Sequence, residues 1–250
     1  MAFSYIGISN IKNSAADNEC GLFASASTQA GDIMFAHITT NTGYASGEAA
    51  GWTKICQNDF SGGYSQVYYK IAGSSESAIE ASWTYSSARR VWGYILTFRD
   101  GFNSSNPIGA VSNTQYMTSN TSIIASSMSV PSANSPLLFF GSVFKTDGSV
   151  TYTKPSSPTT DWIEQFDSGS STSDMWTTVC YMTWSSSGST GNMTGTLSTS
   201  VSLKHAFAFS LNPPVSGPVN LKSYNTNLKA NIKSINTNLI ANVKSLNTNV

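Results

Sequence analysis

Imidazoles move protons most readily near neutrality, so the two histidines come first. His37 and His205 each sit inside a β-rich run, at roughly equivalent places in two similar halves of the chain. A metal site would need further His, Cys or carboxylate ligands at short spacing, and none flanks either one. Both therefore read as core or interface residues. Asp59, Glu76, Glu80 and Asp100 are the carboxylates from which a glycosidase pair would be drawn, but no spacing joins any two of them, and solvated loop charges are expected. Serine is abundant, yet no Gly-x-Ser-x-Gly elbow occurs. Gly62-Gly63, Gly188 and Gly191 lack the strand–loop–helix setting of a phosphate loop. Cys20, Cys56 and Cys180 are odd in number and widely spaced, so they form no disulfide framework and no Cys-x-x-Cys pair. Cys56 and Cys180 lie in apolar runs and are expected to be small buried apolar residues, which fits a reducing compartment. Tyr64, Tyr68, Trp83 and Tyr85 cluster in sequence. Exposed, they would stack on sugar rings; turned inward, they would be core. No catalytic constellation emerges: no enzyme activity, cofactor or metal is expected.

The elements that would position these residues repeat. Gly31 to Phe98 runs GDIMFAHITT, GWTKICQ, SQVYYKIAG and VWGYILTFRDG, and Ser135 to Phe209 is a worn second copy. Trp52 lies 46 positions before Phe98, and Trp162 lies 47 before Phe209. Strands are predicted over 3–9, 20–27, 33–39, 52–57, 65–72, 79–85 and 91–99, then over 107–112, 122–129, 137–144, 162–166, 175–184, 194–198 and 201–211. In Ser65–Ala72, Val67, Tyr69 and Ile71 point one way and Gln66, Tyr68 and Lys70 the other. Val91–Arg99 is apolar on both faces, as in a strand covered on both sides. No convincing helix appears. This pattern predicts an all-β fold: a jelly-roll-like antiparallel β-sandwich over 1–212 with internal pseudo-duplication. Trp52 and Trp162 are its expected anchors. Pro213-Pro214 and Ser216-Gly217-Pro218 mark a linker over 213–220.

Composition narrows the function. Charged residues make up only 10% of the 250, so Ser, Thr, Asn and Gly must carry the surface. That suits a protein packed among copies of itself. The net charge is zero, which argues against a nucleic-acid partner. Residues 1–211 hold nine basic against thirteen acidic side chains, whereas the tail adds Lys222, Lys229, Lys233 and Lys244 with no acid. No apolar run is long enough for a membrane span, and the N-terminus MAFSYIGISN does not read as a secretory signal.

Residues 221–250 are the most specific local signal. They read LKSYNTNLKAN, IKSINTNLIAN, VKSLNTNV, with a period of 11. The apolar positions are Leu221, Tyr224 and Leu228, then Ile232, Ile235 and Leu239, then Val243, Leu246 and Val250. So short a repeat cannot bury its own apolar face and must pack on other chains. Their 3, 4, 4 spacing fits a right-handed coiled coil. The Asn-Thr-Asn turns and β-rich segments between them fit an intertwined β stalk. Either geometry predicts a homo-oligomer, most simply a trimer about a shared axis.

The run GDIMFAHITT, GWTKICQ, YYKIAGSSE, SWTY, VWGYILTFRDG and NPIGA resembles a β-sandwich of bacteriophage virion proteins. There, a strand opening on Gly-Asp is followed by Gly-Trp-Thr, Tyr-Tyr-Lys and a strand ending in Phe-Arg-Gly. Here that ending is Phe98-Arg99-Asp100-Gly101. The KSINTNLIAN repeat is similar to tail repeats of phage and prophage proteins, in which Asn-Gly often stands where Asn-Thr stands here. The resemblance implies a virion structural protein made and assembled in the host cytoplasm. It would be a capsid decoration, head fibre, tail fibre or spike, partnered by other virion proteins. The alternative is an adhesin recognising a host surface glycan through Trp83, Tyr85, Tyr64 and Tyr68.

Overall fold

Runs of β-branched and aromatic residues, punctuated by Gly, Ser, Asn and Pro, give a structure built almost wholly from antiparallel strands. A computed structural model describes residues 2–215 apart from 61, 117–118, 145–149 and 171–173. The first half contains β1 (Ser4–Ile8), β2 (Lys12–Phe23), β3 (Ile33–Thr40), β4 (Thr53–Phe60), β5 (Gly63–Ile71) and β6 (Glu80–Arg99). The second contains β7 (Ile108–Tyr116), β8 (Asn120–Ala125), β9 (Ser129–Val130), β10 (Ser135–Phe144), β11 (Tyr152–Ser157), β12 (Ile163–Ser170), β13 (Met175–Trp184), β14 (Gly188–Ser189), β15 (Met193–Val201) and β16 (Leu203–Leu211). One 3-10 turn, Glu76–Ala78, is the only helical element among the described residues.

The duplication is visible in the strand order. The first sheet runs β1-β6-β3-β5-β4, and the second runs β7-β16-β10-β13-β12, so each strand of one has a counterpart at the same place in the other. An outer layer covers each sheet. In the first half it is β2, paired with the beginning of β6, together with the 42–52 loop, whose Gly47 bridges to Thr84. In the second it is a separate sheet, β11-β15-β8. Strand β6 is one 20-residue element that serves both layers, pairing with β2 early and with β1 and β3 late. Its counterpart is split in two at Ser202, giving β15 and β16. Runs expected as two strands, 79–85 and 91–99, are thus a single strand. β2 starts eight residues earlier than its apolar run.

The β1-β6-β3-β5-β4 and β7-β16-β10-β13-β12 layers stack face to face. Ile33, Phe35, Tyr94, Leu96 and Phe98 from one meet Leu138, Phe140, Val179, Phe207 and Phe209 from the other. Phe140 stacks on Phe209 with centroids 5.5 Å apart, and Phe35 reaches Phe209 at 5.2 Å. The alternation in β5 holds: Val67, Tyr69 and Ile71 face this seam, and Tyr68 faces the outer core. β3 and β10 are buried along their whole length because both faces are covered. Trp52 and Trp162 do anchor equivalent points, but in different outer cores. Trp52 packs edge-on to Trp83 at 5.3 Å, and Trp162 packs on Phe139 at 6.3 Å. Gly93 is needed where β6 passes under β2, since a Cβ there would lie 2.6 Å from the Cys20 sulfur.

β11 was not foreseen, because Pro155 lies inside it. It is an edge strand with an irregular register between Thr153 and Ser157, which is where a strand tolerates proline. Met1–Pro214 packs as one unit. The linker beyond Val215 and the repeats over 221–250 lie outside the described residues. Phe140→Ala removes a ring at the centre of the seam and is expected to destabilise the protein by about 3–5 kcal/mol. Ile163→Ala, on an exposed site of edge strand β12, should change stability by no more than about 0.5 kcal/mol. Urea unfolding of both variants checks the contrast.

Candidate functional site

Among the described residues, the polar side chains of the seam form a cluster in which chemistry-bearing groups converge. His37 projects from the middle of β3, a strand with no exposed residue. Its Nδ1 lies 2.7 Å from the Tyr94 hydroxyl. Its Nε2 lies 2.9 Å from both the Ser65 and the Ser142 hydroxyls, which are themselves 2.9 Å apart. Ser65 and Tyr94 belong to the first half and Ser142 to the second, so the imidazole ties the sheets together. Beside it, the Trp92 indole N–H donates to the Thr177 hydroxyl at 3.0 Å, again from one half to the other. Thr177 also lies beside the Tyr94 phenol, where it favours the ionised form.

An indole can only donate, so the Thr177 oxygen accepts from Trp92. A neutral imidazole has one N–H and one lone pair, and the hydroxyls around His37 can each donate or accept, so both of its nitrogens are satisfied within the seam. Burial penalises the charged imidazole, and His205 nearby adds repulsion, so the His37 pKa is pushed down to about 3. Burial does the same to His205, also to about 3. Both are neutral at pH 7. Burial raises the Tyr94 phenol, which stays protonated.

A Ser–His contact of 2.9 Å resembles that of a nucleophile and its base. Here His37, Ser65 and Ser142 are at most 1% exposed, inside an aromatic core, so no substrate reaches them. The arrangement fixes the sheets' register instead. His205 is not at a position equivalent to His37, as the sequence suggested. It lies on β16, the counterpart of β6, and pairs in register with Ser142.

The other sequence candidates are dispersed. Glu76 is buried, ion-paired with Lys70 and accepting from the Gly73 N–H at 3.0 Å. Asp59 is exposed and lies near the Tyr44 hydroxyl, Glu80 is exposed at the start of β6, and Asp100 sits in the turn after it with φ 60°. Among the described residues no hydrogen bond joins any two of these four. All three cysteines are free and buried, and burial raises each thiol. Among the described residues no group of three or more His, Cys, Asp or Glu could hold a metal ion.

The aromatic platform is not formed. Trp83 and Tyr68 are fully buried and Tyr85 nearly so, in the core beneath β2 and the 42–52 loop. The tyrosine hydroxyl of Tyr68 reaches Glu48 at 3.3 Å, and the Arg89 guanidinium covers Tyr85 at 4.6 Å. Only Tyr64 stays partly accessible, edge-on to Tyr44 at 5.0 Å. The reason is the second layer: the face of β6 that looked free in sequence is roofed by β2. A polar groove of about 330 Å³ lies elsewhere, over Gln29, Asp32, Arg99 and Phe102. There the Arg99 fork is already filled by buried Asp32, at 2.7 and 2.8 Å.

Sequence reasoning singled out His37 but missed Ser65, Ser142, Tyr94, Thr177 and Trp92. The available signal was a polar residue interrupting the inward face of an otherwise apolar strand, such as Ser142 in LLFFGSVF. No family model and no curated protein matches the chain.

Thr177→Val should strand the Trp92 N–H and cost about 1–3 kcal/mol in urea unfolding. A long-range proton–nitrogen NMR spectrum at pH 7 should show His37 as a neutral ring with a single protonated nitrogen; a ring protonated on both nitrogens would contradict the effect of burial.

Proposed function

We propose that this chain is a structural component of a bacteriophage virion, with residues 221–250 joining copies and the β body displayed outward as a capsid decoration, head fibre or tail fibre. The observation that carries this reading is the 11-residue repeat. Its nine apolar positions, Leu221 to Val250, recur with lysine and Asn-Thr-Asn between them, and a unit this short needs neighbouring chains to bury them. The sequence resemblance to phage virion sandwiches and tail repeats supports the same role. So does the body: all-β, with apolar layers on both sides of its central strands and a charge-poor surface suited to close packing. On this reading the body is a doubled jelly-roll-like sandwich and its role is mechanical. Its partners are copies of itself, most simply three, and other virion proteins.

Light scattering on the purified chain tests the central element. A trimer of a 26.6 kDa chain has a mass of about 80 kDa. Ile232→Asn with Ile235→Asn and Leu239→Asn is expected to return it to a monomer while leaving the circular dichroism of the β body unchanged. A wild-type monomer at micromolar concentration would remove the support for assembly through the repeats.

A further inference from the structure

Two imidazoles inside the seam have no evident part in assembly, and their surroundings suggest one. His37 is wholly buried among aromatic rings, and only hydroxyls meet its two nitrogens: Tyr94 at Nδ1, and Ser65 and Ser142 at Nε2. An imidazolium has two N–H donors and no lone pair, so protonation would force these hydroxyls to turn and would leave a buried charge with neutral partners alone. The site therefore favours the neutral ring.

The groups around it offer the cation no compensation. From β6 the titratable neighbour is Tyr94, and from β16 it is His205, whose charge would repel that of His37. Cys56 on β4 belongs to the same core. Asp167 on β12 reaches Tyr94 electrostatically but makes no hydrogen bond to His37. Lys204, the neighbour of His205, turns its ammonium to Asn120 on β8. Among the described residues no carboxylate touches His37.

We propose that the seam between the two halves is an acid-sensitive latch, in which protonation of His37, reinforced by His205, loosens the contact between the facing sheets progressively as pH falls below about 6. The sign follows from linkage. The unfolded or opened chain binds protons on ordinary histidines from about pH 6.5 downward, whereas the closed seam does not bind them until about pH 3. Closure is therefore favoured fully above pH 6.5 and weakens as pH falls, by roughly tenfold per pH unit for each histidine involved. Carboxylates do not mimic this window. Glu164 and Asp167 have raised affinities for protons through burial, so their protonation favours the closed form and opposes the loss.

Hydrogen exchange on the full chain at pH 7.5 and 5.0, corrected for intrinsic rates, tests this. Amides of β3, β10 and β16 should lose at least tenfold in protection, while β8 and β15 keep theirs. His37→Gln, which keeps a donor and an acceptor but takes up no proton, should lower the pH sensitivity by about tenfold per pH unit. If that variant does not fold, NMR titration of the wild-type imidazoles decides. His37 should stay neutral until the seam opens and charge together with the loss of protection. Unchanged seam protection at pH 5.0, simultaneous loss in every strand, a His37→Gln protein as pH-sensitive as wild type, or His37 titrating near pH 6.5 in a closed seam would each overturn the proposal.

Discussion

The two halves meet across a thick aromatic layer, and an aromatic layer alone would let them slide. Phe35, Phe98, Phe140 and Phe209 supply area, but dispersion between rings is tolerant of small shifts. The hydrogen bonds from Trp92 to Thr177 and among Tyr94, His37, Ser65 and Ser142 are not tolerant. Their lengths are 2.7 to 3.0 Å, and those made by Thr177 and Ser142 cross from one sheet to the other. In a low-dielectric interior a slip of one residue would orphan several polar groups at once. The strand order, the double covering of β3 and β10, and the closeness of the layers all presuppose that register.

The same constraint explains why the second copy is worn where it is. The seam brings together strands that are counterparts in the duplication, so an identical pair of faces would place like groups opposite like. Instead β3 contributes an imidazole and β10 a hydroxyl. The sheets retain equivalent orders while their facing residues have diverged into donors and acceptors. The outer anchors Trp52 and Trp162 are unchanged between the halves, and each serves its own outer core.

Much of the fold was legible because period-two alternation reports burial directly. Val67, Tyr69 and Ile71 against Tyr68, and Trp92 through Phe98 against Val91 and Ile95, fell on the faces their spacing required. What alternation cannot report is which of two apolar faces meets solvent. Hence Trp83 and Tyr85 read first as core with a platform as the alternative, and the covering strand β2, whose first residues are polar, decided it. Pro155 concealed β11 because a sequence does not announce which strand is an edge. The site was half legible. Two histidines stood out by type, but serine and threonine are too common here for Ser65, Ser142 and Thr177 to stand out by anything except position.

One difference between the halves has mechanical meaning. In the first, the 20 residues of β6 pass unbroken from the roof into the central sheet. Pulling that roof away would drag on the same backbone that Phe98 and Tyr94 pin from beneath. In the second, the chain pauses at Ser202 between β15 and β16, so roof and sheet share no continuous strand. The molecule thus has one welded lid and one hung on a hinge, and any load it bears would part it first on the hinged side.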